Sequence, residues 1–217
     1  MGFFLSSFFL GRSLNYRKQR VYYRLLRDAL MPFVQKFSFK GMGSSGFTIA
    51  LPYKVVKKMP FRKLEMTVLL LDRENVLHYL ISRLRRDKDK TIIKMDLRSR
   101  PNIVMEGALR GSPSFYMALG VPHEKRLRVL KEGSLSSKYL VKATDTGTAR
   151  RILEVFMKAE HFRSVYPYIE YFSISSRSPH LILVYNNNGK YAHIFEFLKS
   201  VAEGLNDLFG RAEKKKR

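Results

Sequence analysis

The 217-residue sequence contains no cysteine. That absence removes a disulfide scaffold, a thiol nucleophile and a cysteine-ligated zinc or iron–sulfur centre from consideration. Acidic residues are scarce, with Asp+Glu 18 against Lys+Arg 41, so the formal net charge is +23. Glutamine occurs only at Gln19 and Gln35, a sparseness that together with the missing thiol suits a heat-adapted protein. No apolar run approaches the roughly 20 residues that a membrane-spanning helix needs, so a transmembrane helix is not expected. What is present is a chain of 45% hydrophobic and 27% charged residues. That is the balance of a globular protein, long enough to bury a core as one domain or two small ones.

A positive surplus of this size repels itself and calls for counter-charge. Nucleic acid and the anionic face of a membrane are the abundant counter-surfaces, and both reward scattered Lys and Arg. A heat- or salt-adapted surface with no dedicated partner is the plainer alternative. Basic residues recur at Arg17 to Arg27, Lys54 to Lys63, Arg83 to Lys90, Lys125 to Lys131 and the terminal Lys214 to Arg217. The spread describes a broad basic surface rather than an appended arm.

Residues Gly2 to Leu10 read GFFLSSFFL, and Arg12, Arg17, Lys18 and Arg20 follow at once. A secretory signal has its positive charge before the apolar stretch, whereas here the charge comes after it. Two readings of this stub stand. Phe3, Phe4, Leu5, Phe8, Phe9 and Leu10 could insert shallowly at a membrane interface while the basic residues meet headgroups. Alternatively, the segment is an N-terminal strand or staple packed on the protein's own core. Met1-Gly2 with Ser6 also fits the loose N-myristoylation pattern, which matches many sequences by chance.

Beyond the stub, Tyr22, Leu25, Leu26, Ala29 and Leu30 recur at helical spacing and form one apolar stripe. Arg17, Arg20, Arg24 and Arg27 fall on the opposite side, with Asp28 as the nearby acid. Pro32 should end this helix. The arrangement is either an ordinary surface helix with a solvated Arg face or an anion-facing helix beside the apolar stub.

Gly41-Met42-Gly43-Ser44-Ser45-Gly46 matches G-x-G-x-x-G. A dinucleotide fold requires a helix after such a loop, but Phe47 to Tyr53 reads as a strand. The lysine, catalytic-loop and D-F-G motifs of a protein kinase are also missing. The loop is therefore expected to be a hairpin turn between Gln35–Lys40 and Phe47–Tyr53.

Further along, Arg62 to Leu71 reads as a strand, and Asp72 as the cap of a helix over roughly Glu74 to Arg86. Val76, Leu77, Leu80, Ile81 and Leu84 give that helix its stripe, and Arg83, Arg85 and Arg86 suit the negative end of its dipole. Strands follow at about Thr91–Leu97 and Asn102–Glu106, split by Arg100-Pro101. After an irregular stretch with one short strand near Arg126–Leu130, a second unit begins. It has a strand at Lys138–Ala143, a cap at Thr144 or Asp145, and a helix with Ala149, Ile152, Leu153, Phe156 and Met157 on its apolar face. Strands at Tyr168–Ser175 and Leu181–Tyr185, a turn at Asn186–Gly189 and a helix over Tyr191–Phe209 complete it. The element order β-α-β-β thus occurs twice, which predicts an α+β fold: antiparallel sheet, one or two, with helices packed on one face, preceded by a basic amphipathic helix. The expected divisions are 1–34 for the stub and helix, 35–110 for the first unit, 111–137 for the connection, 138–210 for the second unit and 211–217 for a basic tail.

Signs of catalysis are missing. Among His78, His123, His161, His180 and His193, no two have a ligand spacing such as i, i+4. His78 beside Leu77 reads as a partly buried structural residue and His193 as a surface one. Ser112, Ser114 and Ser134 to Ser137 lie in loops with no nucleophile elbow. Asp72 with Glu74 is accounted for by capping, and Asp87 and Asp89 alternate with Lys88 and Lys90 as a solvated turn. No catalytic residue, metal site or cofactor is expected, and the protein reads as a non-enzyme. RNA-binding signatures are missing too, and Tyr166, Tyr168, Tyr171 and Phe172 read as packing in preference to base-stacking groups.

The segments Gly43–Leu51 (GSSGFTIAL), Lys63–Leu84 (KLEMTVLLLDRENVLHYLISRL) and Thr91–Leu97 (TIIKMDL) resemble a family of archaeal membrane-associated proteins, over roughly Arg17 to Leu97. The resemblance implies an archaeal, non-secreted protein and no particular activity. Many such proteins carry a full membrane span, where this sequence has only Gly2–Leu10. The expectation is a cytoplasmic protein bound peripherally to an anionic lipid surface, at the inner face of the cell membrane, or to a membrane-bound complex. Apolar insertion would come from the stub, and headgroup contacts from Arg12, Arg17, Lys18, Arg20, Arg24 and Arg27. The runner-up is a sequence-tolerant RNA- or DNA-binding protein that uses the whole basic surface.

Overall fold

Alternation of apolar and polar residues along the strands decides the architecture, because successive side chains of a strand point to opposite faces. In a computed structural model, residues 2–51, 56–112, 127–130, 135 and 137–214 are described, with side chains between 5 and 210. The strands are β1 Ser38–Gly41, β2 Gly46–Leu51, β3 Phe61–Leu69, β4 Lys90–Leu97, β5 Met105–Leu109, β6 Arg128–Val129, β7 Tyr139–Ala143, β8 Ile169–Ile174 and β9 Leu181–Asn186. They form one nine-stranded sheet in the order β1-β2-β3-β4-β9-β8-β5-β7-β6. Every pairing between these strands is antiparallel.

The sheet is continuous across both β-α-β-β units. Strand β9 pairs with β4, and β5 lies between β7 and β8, so the later half of the chain closes around the earlier half. On the inner face, Leu64, Met66 and Val68 of β3 are buried in register with Ile93 and Met95 of β4 and Leu181, Leu183 and Tyr185 of β9. Each large aliphatic side chain buried in this way contributes roughly 1.5–3 kcal/mol. The outer face is polar and partly open, with Glu65 bridged to Lys94 at 3.6 Å and Thr48 bonded to Thr67 at 3.0 Å. This is the expected α+β arrangement, with antiparallel sheet and helices on one face.

Five helices accompany the sheet among the described residues: α1 Gly2–Leu30, α2 Val76–Leu84, α3 Thr146–Lys158, α4 Phe162–Val165 and α5 Tyr191–Lys214. Helix α3 begins where expected, with the Asp145 carboxylate accepting from the Gly147 and Thr148 amides. Its Ala149, Ile152, Leu153 and Phe156 are buried. Beneath it and α1 runs α5, whose Ile194, Leu198, Val201, Ala202 and Leu205 are all buried in the main core.

Helix α1 differs from the strand-or-staple reading of the N-terminus. The stub is neither a separate strand nor a staple, because a single 29-residue helix runs from Gly2 to Leu30, roughly 43 Å at 1.5 Å per residue. No proline interrupts that stretch, and Gly11 alone does not stop a helix whose neighbours are good helix formers. The turn at Met31–Phe33 ends it beside Pro32, as expected. The glycine loop is likewise the expected hairpin turn between β1 and β2. Gly46 takes φ +146°, and a Cβ there would sit 1.9 Å from the Val68 carbonyl oxygen, so only glycine fits. Most of the 111–137 connection lies outside the described residues, as do Lys54, His123, Ser114, Lys125, Lys131, Ser134 and the tail from Lys215.

Candidate functional site: the α1–α2 face

Gly11, Asn15, Lys18, Tyr22, Leu26 and Ala29 follow one another at intervals of three or four and form the inward edge of α1. Gly11 permits the closest approach: a Cβ there would lie 1.9 Å from the Arg73 carbonyl oxygen. Asn15 Nδ2 donates to the Leu71 carbonyl at 3.1 Å, and its Oδ1 accepts from Arg73 at 2.8 Å. Lower down, Tyr22 packs edge-on to Tyr191 of α5 with ring centroids 6.2 Å apart.

Asp89 is the centre of this attachment. Its carboxylate accepts both Arg73 Nη2 contacts at 2.9 and 3.0 Å, Lys18 Nζ at 3.0 Å, Tyr22 Oη at 3.2 Å and the Leu71 amide at 2.9 Å. Burial alone would raise the Asp89 carboxyl, but the Leu71 amide, Lys18 and Arg73 outweigh it and hold the group below the ordinary carboxylate range. Burial and the neighbouring Asp89 charge push the Tyr22 phenol up to about 12. The reading of Asp89 as part of a solvated turn is therefore corrected. It is a buried clip that ties α1 to the end of β3 and the start of β4. Lys18, one of the residues expected to meet headgroups, pairs with Asp89 at 3.0 Å while 45% of its side chain stays exposed.

Helix α2 is the main departure from the sequence pattern. Its cap is Asn75, whose side chain accepts from the His78 amide at 3.1 Å, while Asp72 accepts from the Glu74 and Asn75 amides just before it. Ser82 is the buried residue of the helix, and Tyr79 lies 5.7 Å from the Arg73 guanidinium. With Tyr79 facing the Arg73 guanidinium and Ser82 buried, the Tyr79–Ser82 edge turns inward and the apolar stripe turns out. Leu77 is 67% exposed, Leu80 53%, Ile81 46% and Leu84 83%. His78 is exposed rather than partly buried, with Nδ1 3.2 Å from Asp72 Oδ2.

The first half of α1 supplies the rest of this face. Leu5, Phe8, Phe9 and Leu10 are exposed, and so are Leu14 and Val21 beyond them; the Phe3 and Phe4 side chains lie outside the described residues. Phe8 and Leu77 line one cleft between the two helices, so the apolar residues of α1 and α2 adjoin. Arg17, Arg20 and Arg24 are exposed and have no carboxylate partner among the described residues. Arg12 reaches Tyr16 Oη at 3.5 Å, and Arg27 is paired with Asp28 at 2.8 Å. At the far end of α2, Arg83, Arg85 and Arg86 are exposed.

Elsewhere the aromatic residues weighed as base-stacking groups pack internally: Phe172 is buried 5.4 Å from Phe156, and Tyr166 lies 5.4 Å from Tyr139. Metal-ligating side chains also converge in a way the linear spacing hides. Glu160, His161 and Glu196 come together between the end of α3 and α5, and His193 stacks on His161 at 4.4 Å although 32 positions separate them in the chain.

The chain matches no family model and no curated protein. Among solved structures, it is similar to the crystal structure of the mycobacterial trehalose monomycolate transport factor A, TtfA, at a TM-score of 0.44 and 13% identity, over 85% of this chain and 92% of that one.

Proposed function

We propose that this protein docks peripherally on an anionic lipid bilayer through the joint face of α1 and α2. The observation that carries the reading is the outward apolar stripe of α2, Leu77, Leu80, Ile81 and Leu84, set beside the exposed leucine and phenylalanine side chains of α1. A stripe of this kind loses roughly 1.5–3 kcal/mol of potential stabilisation per large side chain left in water, and an interface recovers it by shallow insertion. Charge complementarity selects an anionic surface: Arg17, Arg20, Arg24, Arg83, Arg85 and Arg86 are all exposed, and each basic residue near such a surface contributes about 1 kcal/mol. No helix among the described residues is long and apolar enough to cross a membrane, which fits docking on the surface. The cytoplasmic face of a cell membrane offers the anionic charge this reading needs.

Co-sedimentation with vesicles tests it, using phosphatidylglycerol-rich and pure phosphatidylcholine bilayers at about 0.15 M salt, where exposed charges are screened beyond about 8 Å. The full chain should pellet with the anionic vesicles, and Leu77→Glu/Leu80→Glu/Leu84→Glu should stay in the supernatant with an unchanged unfolding transition. If the triple variant pellets like the parent, insertion through α2 is wrong. If neither pellets while single-stranded RNA is bound with a steep salt dependence, the basic surface serves nucleic acid instead.

A further inference from the structure

The chain turns sharply after α3. His161 adopts φ 56°, in the left-handed region, and the turn presses Glu160 and His161 against the first turns of α5. There His193 and Glu196, three apart, share a helix face. His161 Nε2 lies 2.8 Å from Glu196 Oε2. One ligand atom each from Glu160, His161 and Glu196 lies within 4.8 Å of the others. The Glu160 amide donates to Ser200 Oγ of α5 at 3.3 Å, which anchors the backbone of that residue to the same helix.

The imidazoles are also oriented. The His161 and His193 rings are parallel within 3° at a centroid separation of 4.4 Å. Ser164 Oγ is 2.9 Å from the His161 carbonyl oxygen and 3.1 Å from His193 Nδ1. A carbonyl only accepts, so the single hydroxyl proton goes to it, and His193 donates Nδ1–H to the hydroxyl oxygen. Ser164 thereby fixes the His193 ring, and the stacked His193 ring fixes the plane of His161 with Nε2 facing the carboxylates. In a chain with 41 basic and 18 acidic residues, two glutamates and two histidines meet at one accessible spot. The His161 and Glu196 side chains are each 37% exposed, so neither is there to fill the core.

We propose that Glu160, His161 and Glu196 form a binding site for one divalent transition-metal ion of the zinc class. Imidazole nitrogen with carboxylate oxygen is a donor set such ions take at about 2.0–2.2 Å, whereas magnesium and calcium favour oxygen donors alone. The ion takes the place of the direct contact between His161 Nε2 and Glu196 Oε2. The three protein donors leave a fourth position for water, the pattern of an open zinc site. His193 acts as a positioning residue, held by Ser164. The proposal does not depend on membrane docking.

Isothermal titration of the metal-stripped full chain with zinc chloride tests the site, with absorption of the cobalt(II) form reporting tetrahedral nitrogen–oxygen coordination. One ion per chain is expected. His161→Ala and Glu196→Gln should each weaken binding at least as much as the roughly tenfold loss that removing even an outer partner causes. His78→Ala removes the other exposed imidazole–carboxylate pair among the described residues and should leave binding unchanged. Circular dichroism melts of the same variants separate ligand loss from unfolding. The proposal is overturned if zinc does not bind at micromolar to submillimolar concentration, if the His161 and Glu196 variants bind like the parent while still folded, or if magnesium competes on equal terms.

Discussion

Helices α2 and α3 carry the same kind of pattern and meet opposite fates. Both have apolar residues at i, i+3 and i+4 after an Asx-type cap, yet α3 buries Ala149, Ile152, Leu153 and Phe156 while α2 leaves Leu77, Leu80, Ile81 and Leu84 in solvent. The difference lies in what each helix rests on. Helix α3 rests on α5 and the apolar inner face of the sheet. Helix α2 turns Tyr79 towards the buried Arg73 guanidinium, 5.7 Å from the ring, and buries Ser82, so its leucine stripe is left on the outside. Periodicity therefore identifies an apolar face, and the surface beneath decides which way that face points. An outward apolar face flanked by arginines is the feature on which the proposed membrane docking rests.

The largest effects break this comparison from the core side. Phe156→Ala in α3 should cost about 3–5 kcal/mol, the range for deleting a buried aromatic side chain, whereas Leu84→Ala in α2 should stay within about 0.5 kcal/mol. Denaturant melts of the two variants side by side would show it. Comparable losses would mean that α2 is buried in solution. Asp89→Ala should be nearly as damaging as the core deletion, about 3–5 kcal/mol, because it leaves the buried Arg73 guanidinium without its counter-charge. Hydrogen exchange in that variant should accelerate across α1 and the ends of β3 and β4 and spare α3, since the clip joins Lys18 and Tyr22 of α1 to Leu71, Arg73 and Asp89.

A smaller, pH-dependent effect sharpens the same contrast. The folded Asp89 carboxyl is held below its unfolded value of about 3.9. A depressed carboxyl stabilises fully above the unfolded pKa and loses that contribution as pH falls through the folded one. Thermal stability should therefore be level from neutral pH to about 5 and drop below about 4. Asp89→Asn should lower the plateau and flatten the acid limb. An unchanged acid limb would show that other carboxylates govern acid unfolding.

Local pattern accounts for much of this molecule. The strands, the hairpin at Gly41–Gly46, the Asp145 cap and the one-sided packing of helices on antiparallel sheet all follow from period-two and period-3.6 spacing with turn chemistry. The misread features depend on partners distant in sequence. Asp89 reads as a solvated acid among lysines until Arg73, Lys18 and Tyr22 converge on it, and α2 turns Tyr79 rather than its leucines towards Arg73. The same limit hid the stacking of His161 on His193, since linear spacing registers ligand pairs on one helix and not across two. The exposed phenylalanines and leucines of α1 were legible as an apolar segment, but their continuity with the basic helix was not, because composition changes at Leu10 while the helix does not.

The smallest predicted effect isolates charge from fold at the end of α2. Arg86 ends the helix at φ 59°, with the Asp87 amide closing on the Ser82 carbonyl at 2.8 Å and the Arg86 amide on the Arg83 carbonyl at 3.0 Å. A left-handed residue at this position is normally glycine, and an L-residue there costs roughly 1–2 kcal/mol of backbone energy. Retaining arginine at a site that favours glycine is understandable if its charge is used outside the fold. Arg86→Gly should therefore leave the melting temperature unchanged or raise it. It should also weaken binding to anionic vesicles about fivefold, the equivalent of about 1 kcal/mol for one basic residue near the surface. Weaker vesicle binding in a protein of equal or greater stability assigns Arg86 to the membrane contact. A loss of stability with unchanged binding assigns it to the helix end, and the docking face then stops short of the last turn of α2.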